Sequence, residues 1–363
     1  MPSQLKPGAP LLVEDIAYEV RHVLHRPLPG QEEPAETLLL ARCLSGPHAS
    51  RQALIRRLEG AVDSPALRRI QDGGRQARRM DHPHITRVWQ VHSEPEILSI
   101  VSEYIPGFDL ETVASYCAML RRPPLTAFVC FIGATVADAL DYLHRLQDDV
   151  GRPLGVIHRG ISLANIRLGT GGEVKLSGFD GMFSLLEERQ QTTTNTLRGD
   201  LAYASPEYVC HGQKDRGLDF FALGMVMLEL LMGHHPLDDP YDASPQTPTG
   251  VRCEKRLRAE QRPWLPLDVL AQRLLDLSPE QVEMAALEQP EPVVAILKRT
   301  LEQEPGNRCA SGAELRDDLY AWLDSLPVPY SPDVAVEEVR HLRDQARAAS
   351  CQTNPVDWEE PKS

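Results

Sequence analysis

The chain has 363 residues, with 38 basic against 52 acidic side chains for a net charge of −14, and 42% of its residues are apolar. That balance argues against general binding to nucleic acid or to an anionic membrane, while the apolar share suffices for one large domain or two lobes. Seven cysteines, without a CxxC or a Cys/His metal spacing, point to reduced thiols and a cytoplasmic protein.

The first residues, MPSQLKPGAP, lack the apolar core of a signal peptide and read as a loose tail over 1–10. Strand-like runs follow at Tyr18–Leu24 and Thr37–Leu44, split by the turn-rich PLPGQEEPAE. Two helical stretches are expected over roughly 49–80. This segment holds Arg56, Arg57, Arg68, Arg69, Arg75, Arg78 and Arg79, read as solvated helix faces. After the turn DHPHI come two more strand-like runs, Thr86–Val91 and Ile97–Ile105.

From Leu110 onward helices take over. In Phe128–His144, Ile132, Val136, Leu140 and Leu143 recur at helical spacing. A strand–loop–strand segment is expected at 156–177, then a long loop over 178–210. The apolar run Phe220–Met232 is too short to span a bilayer and contains Glu229, so it reads as a buried helix. A proline-rich excursion covers 236–267, and helices continue to about 325. Pro332 suits the first turn of a last helix at 333–349, and CQTNPVDWEEPKS reads as a disordered, acidic tail.

Five motifs stand in order. HRGISLAN begins at His158. GFD, preceded by EVKLS, begins at Gly178, thirteen residues after Asn165. ASPEY occupies 204–208, DFFALGMVMLELLMGHHPL starts at Asp219, and LEQEPGNRCASGAEL lies near the end. The set resembles the eukaryotic-type Ser/Thr protein kinase family, bacterial members included, whose signatures run HRDLxxxN, DFG, APE. The resemblance is strong from Ile97 to Leu323 and weaker over 15–96. It implies an α+β, two-lobed kinase-like fold, with a β-rich N-lobe over 11–105 and a helical C-lobe over 106–325. A C-terminal helix and tail would follow over 326–363.

The resemblance also implies roles. His158 packs under the catalytic loop, Asp219 anchors that loop's backbone, Glu207 pairs with Arg308, and Phe179 packs into the core. The chemistry itself needs a glycine-rich loop, a strand Lys, a metal held by the DFG Asp and the loop Asn, and the HRD Asp. Here Gly30 is the one glycine between Gly8 and Gly46. Arg42 aligns with the strand Lys, whose usual Glu partner falls near Gly73. The catalytic Asp is Gly160, the Lys two residues on is Ser162, and the metal Asp is Gly178. Asn165 is kept, and Asp180 comes two positions late. Leu40 takes the position above adenine and Arg167 the one beneath, with Arg167 directed either into the floor or outward. The expected reading is a pseudokinase that regulates or scaffolds, with no metal or cofactor. Its partner would be a protein, an active kinase or its substrate, without nucleic acid or membrane insertion. Thr192, Thr193, Thr194 and Thr196 would accept phosphate, with Arg159 pairing the added charge. Two alternatives stay open: an atypical active kinase using ATP, magnesium, Asp180 and Arg42, and a sensor for a non-nucleotide ligand.

Overall fold

The computed structural model describes residues 5–25, 35–60, 64–179, 182, 201–238 and 267–353. The chain forms two compact units, Met1–Pro106 with Lys175–Phe183, and Gly107–Val174 with Ser184–Ser363.

In the first unit six antiparallel strands run β1 (Pro10–Val13), β2 (Ile16–His25), β3 (Ala35–Cys43), β4 (Gln52–Glu59), β5 (Val88–Glu94) and β6 (Ile97–Glu103). Their order in the sheet is β1-β2-β3-β4-β6-β5. Tyr18, Val20, Leu39, Ala41, Ala53, Ile55, Trp89 and Val101 form the core of one face. Across that face the Tyr18 hydroxyl of β2 donates to Gln90 Oε1 of β5, and Gln90 Nε2 donates to the Val13 carbonyl.

Helix α1 (Pro65–Ala77) opens on Ser64, whose side chain accepts from the Leu67 amide, and on Pro65 at its first position. It lies close to the sheet because Gly74 has no Cβ. A Cβ there would stand 3.1 Å from Val91 Cγ2 and 3.3 Å from Ile100 Cδ1.

Three expectations change in this unit. Gln52–Glu59 is a strand, not a helix, since Ala53 and Ile55 alternate into the core with period two. The loose tail is shorter than expected: the Gly8 amide donates to the Val20 carbonyl, and the Val20 amide to the Ala9 carbonyl. The described residues 175–179 belong to this unit rather than to the helices. Leu176 exchanges backbone hydrogen bonds with His84 and Thr86, and Lys175 pairs with Glu103 at 2.9 Å.

The second unit begins with β7 (Gly107–Asp109), which pairs antiparallel with β8 (Ile166–Gly169), and β9 (Val174–Leu176) completes that sheet. The segment 156–165 carries loop and a 3-10 turn rather than strand. Helices follow as α2 (Leu110–Leu120), α3 (Thr126–His144), α4 (Pro206–His211), α5 (Gly217–Met232), α6 (Leu267–Asp276), α7 (Pro279–Ala285), α8 (Glu291–Thr300), α9 (Gly312–Asp324) and α10 (Pro332–Thr353).

Helix α5 is buried from Gly217 to Leu231 and forms the unit's axis. Helix α3 is long and apolar enough to cross a membrane, but most of it is buried against its neighbours. At Gly133 it meets Met227 and Leu319 too closely for a side chain. The last helix runs four residues past the expected end, into the segment read as a disordered tail. The rest of that tail lies outside the described residues.

Candidate functional site

The loop from His158 to Asn165 is held by one carboxylate. Asp219, in the first turn of α5, is fully buried and accepts from the His158 amide at 2.8 Å, the Arg159 amide at 2.8 Å and His144 Nε2 at 2.8 Å. Burial alone would raise its pKa. Its bonds from His144 and the His158 amide outweigh that and hold it below the ordinary carboxylate value. These bonds help hold Arg159 in the left-handed region at φ 56, which few non-glycine residues adopt. His158 Nδ1 accepts from the Gly160 amide at 3.2 Å, and Asn165 Nδ2 donates to the Gly160 carbonyl at 2.8 Å. Ser162 is buried within the same loop.

Behind the loop, Glu207 and Arg308 form a bidentate buried pair, at 2.6 and 2.8 Å. Arg308 also donates to the carbonyls of Gly217, Glu302 and Gln303, and its guanidinium lies 4.9 Å over the Phe221 ring.

Arg167 takes the outward course. It crosses to β7, donating to the Gly107 carbonyl at 2.7 Å and pairing with Asp109 Oδ2 at 3.4 Å, while its neighbours Ile166 and Leu168 are buried. Asp109 also caps α2 by accepting from the Thr112 amide.

In the first unit, Gly178 sits at φ +85 and Phe179 is buried. Leu40 is buried and Arg42 is solvent-exposed. Arg56, on β4, forks onto both carboxylate oxygens of Glu36 on the neighbouring β3, at 2.7 and 2.8 Å. Gly73 is buried in α1. Asp180 and Thr192, Thr193, Thr194 and Thr196 lie outside the described residues.

Residues 63–319 match the family model for the protein kinase domain. The chain belongs to the protein kinase family. The tyrosine-protein kinase MasK of Myxococcus xanthus is 27% identical over 247 residues, covering 67% of this chain and 38% of that one. The serine/threonine-protein kinase PrkC of Bacillus subtilis is 30% identical over 184 residues, 51% of this chain and 26% of that one. The CBL-interacting protein kinase 4 of rice, Oryza sativa, is 29% identical over 247 residues, 66% of this chain and 50% of that one. The chain thus spans half or less of the length of these kinases.

Kinase architecture corrects one alignment. A kinase carries its Lys on the strand that follows the loop hairpin and leads into the first-lobe helix. That strand here is β4, not β3. The V-A-I-K register then falls on Ala53-Leu54-Ile55-Arg56, so Arg56 and Leu54 replace Arg42 and Leu40. The tetrapeptide ALIR carried the signal in the sequence, but its arginine-rich setting read as helix surface.

The described residues do not fit a magnesium–nucleotide complex. Gly160 and Gly178 offer no carboxylate, Asn165 offers one neutral amide oxygen while its Nδ2 donates within the loop, and Arg56 is engaged by Glu36. Among the described residues no group of three His, Cys, Asp or Glu side chains could hold a metal. Burial pushes the thiols of Cys117 in α2 and Cys130 in α3 up to about 12, so neither is an activated nucleophile.

Proposed function

We propose that this kinase-family chain transfers no phosphate and works by binding protein, as a regulator or scaffold of an active kinase or of its substrate. The observation that carries the reading is Gly160: a glycine stands at the proton-accepting position of a loop otherwise anchored through Asp219. A general base contributes typically about 10²–10⁴ in rate, and an electrostatic donor a similar factor. Losses at Gly160, Ser162 and Gly178 together leave little catalysis to recover. ATP and magnesium are accordingly not required for its action, and the partner is a protein rather than nucleic acid.

The kinase names of the relatives favour a second reading, an atypical active kinase that recruits Asp180. Purified protein incubated with labelled ATP, magnesium or manganese and generic substrates separates the two. No phosphorylation above a heat-denatured control is expected. Phosphorylation that Asp180→Ala and Asn165→Ala abolish overturns the proposal.

A further inference from the structure

Helix α10 lies beyond the residues that the kinase family model matches. It is nevertheless built into the second unit. Ala335, Val336, Val339, Leu342 and Ala346 are buried, and the helix packs along α2. Glu338 Oε1 accepts from the Leu125 amide at 2.7 Å and Oε2 from the Tyr330 hydroxyl at 2.6 Å.

Two further contacts fall at particular places. The Arg343 guanidinium lies 6.0 Å over the Phe108 ring of β7, and Phe108 in turn meets Tyr116 of α2 edge-on. At the start of α10, Pro332 covers Gly172 in the β8–β9 turn. Gly172 has φ +86, and a Cβ there would approach Pro332 Cβ to 2.6 Å. Among the described residues the chain passes between the two units after Pro106 and after Val174. Phe108 and Gly172 are each two residues from one of these passages. The passages are also tied to each other, because Arg167 of β8 holds Gly107 and Asp109 of β7.

β7 and β9 are three residues long and β8 four. Strands this short have little stability of their own and depend on what packs on them. We propose that α10 is a clamp on both passages. Docked, it fixes β7 through Phe108 and the β8–β9 turn through Gly172, with Arg167 as the strut between them. Released, it frees both at once. The device would let any event that lifts α10 change the freedom of these two connecting segments together. It does not rest on the absence of catalysis.

Amide hydrogen exchange of the full chain, read by mass spectrometry, tests this. Val339→Asp places a charge in the buried face of α10 and releases it. Exchange should then rise about tenfold or more in both 105–112 and 166–177, while α3 and α5 keep their protection. Exchange that rises in 332–353 and stays at the wild-type rate in both passages overturns the clamp. If Val339→Asp strips protection from α3 and α5 as well, the chain has unfolded and Arg343→Ala decides. That change removes the contact on Phe108 and a pair with Asp344 on the same helix, and leaves the buried face of α10 intact. It should raise exchange in 105–112 about threefold or more, and an unchanged rate there overturns the proposal.

Discussion

Arg308 sets its two terminal nitrogens on the two carboxylate oxygens of Glu207, a residue 101 positions earlier in the chain, with both side chains shut off from solvent. Planar fork on planar carboxylate is the geometry in which a buried pair is best satisfied. The three carbonyls around the guanidinium take up its remaining donors. Removing one partner strands the other without water. Arg308→Ala should therefore cost about 3–5 kcal/mol in urea unfolding. Arg308→Lys should recover only part of this, because an ammonium cannot fork. An unfolding midpoint that Arg308→Ala leaves in place would show that the pair contributes nothing to the folded state.

Asp219 gives the chain an acid limit. Its pKa is below the ordinary carboxylate value, so the unfolded chain binds a proton more readily than the folded one. The stability it contributes is complete above the unfolded value and is lost as pH falls through the folded one. Asp219→Asn should be strongly destabilising at pH 7, since an amide NH2 would face donors from His158, Arg159 or His144. The gap between wild type and variant should close toward low pH. Denaturant melts of both proteins from about pH 7 down to about pH 3 check it.

Glu338 has the opposite sign. Burial pushes its carboxyl above the ordinary range, against the bonds from Tyr330 and Leu125 and the charge of Arg122. Ionisation then costs more in the folded chain than in the unfolded one. The penalty is full above the folded pKa and vanishes below the unfolded value. Glu338→Gln keeps the shape and an acceptor for the Leu125 amide. Its stability relative to wild type should be greatest at neutral pH and should shrink toward about pH 4. A difference independent of pH would mean that Glu338 does not titrate in this range.

Gly74→Ala sets two effects against each other. Alanine favours a helix interior by about 1 kcal/mol. The added Cβ, however, meets Val91 and Ile100 at 3.1 and 3.3 Å. Overpacking of this kind costs about 1–3 kcal/mol. Net destabilisation is expected, and a higher melting temperature would show that Val91 and Ile100 can give way.

Calorimetry with ATP and magnesium should show no binding tighter than about 1 mM. Restoring carboxylates by Gly160→Asp and Gly178→Asp together should not bring micromolar affinity. The φ of +85 at Gly178 disfavours any side chain there. Arg56 also stays on Glu36. A low-micromolar constant for the wild-type chain would contradict the functional reading.

The helical unit was largely legible because its signals are long and redundant. The repeat of Ile132, Val136, Leu140 and Leu143 marks a face of α3, and the motifs mark Asp219, Glu207 and Arg308 in the sequence itself. The sheet was harder. Gln52–Glu59 is eight residues with two adjacent arginines, and its period-two burial shows only in Ala53 and Ile55. Without that strand the register moves by one strand, and Arg42 takes the place that belongs to Arg56. Arg167 could not be oriented from sequence, because its partners Gly107 and Asp109 lie 60 and 58 residues away on β7.

The arrangement around Asp219 bears on how such a chain diverges. The loop's shape is imposed from outside it, by a carboxylate on α5 and an imidazole on α3. Gly160 contributes backbone groups to that shape, and a glycine supplies these as well as an aspartate does. Selection on folding therefore watches Asp219, His144 and His158, and is blind to the identity of the side chain at position 160. A lineage can lose the reactive group in one substitution and keep the surface around it intact for other molecules to read.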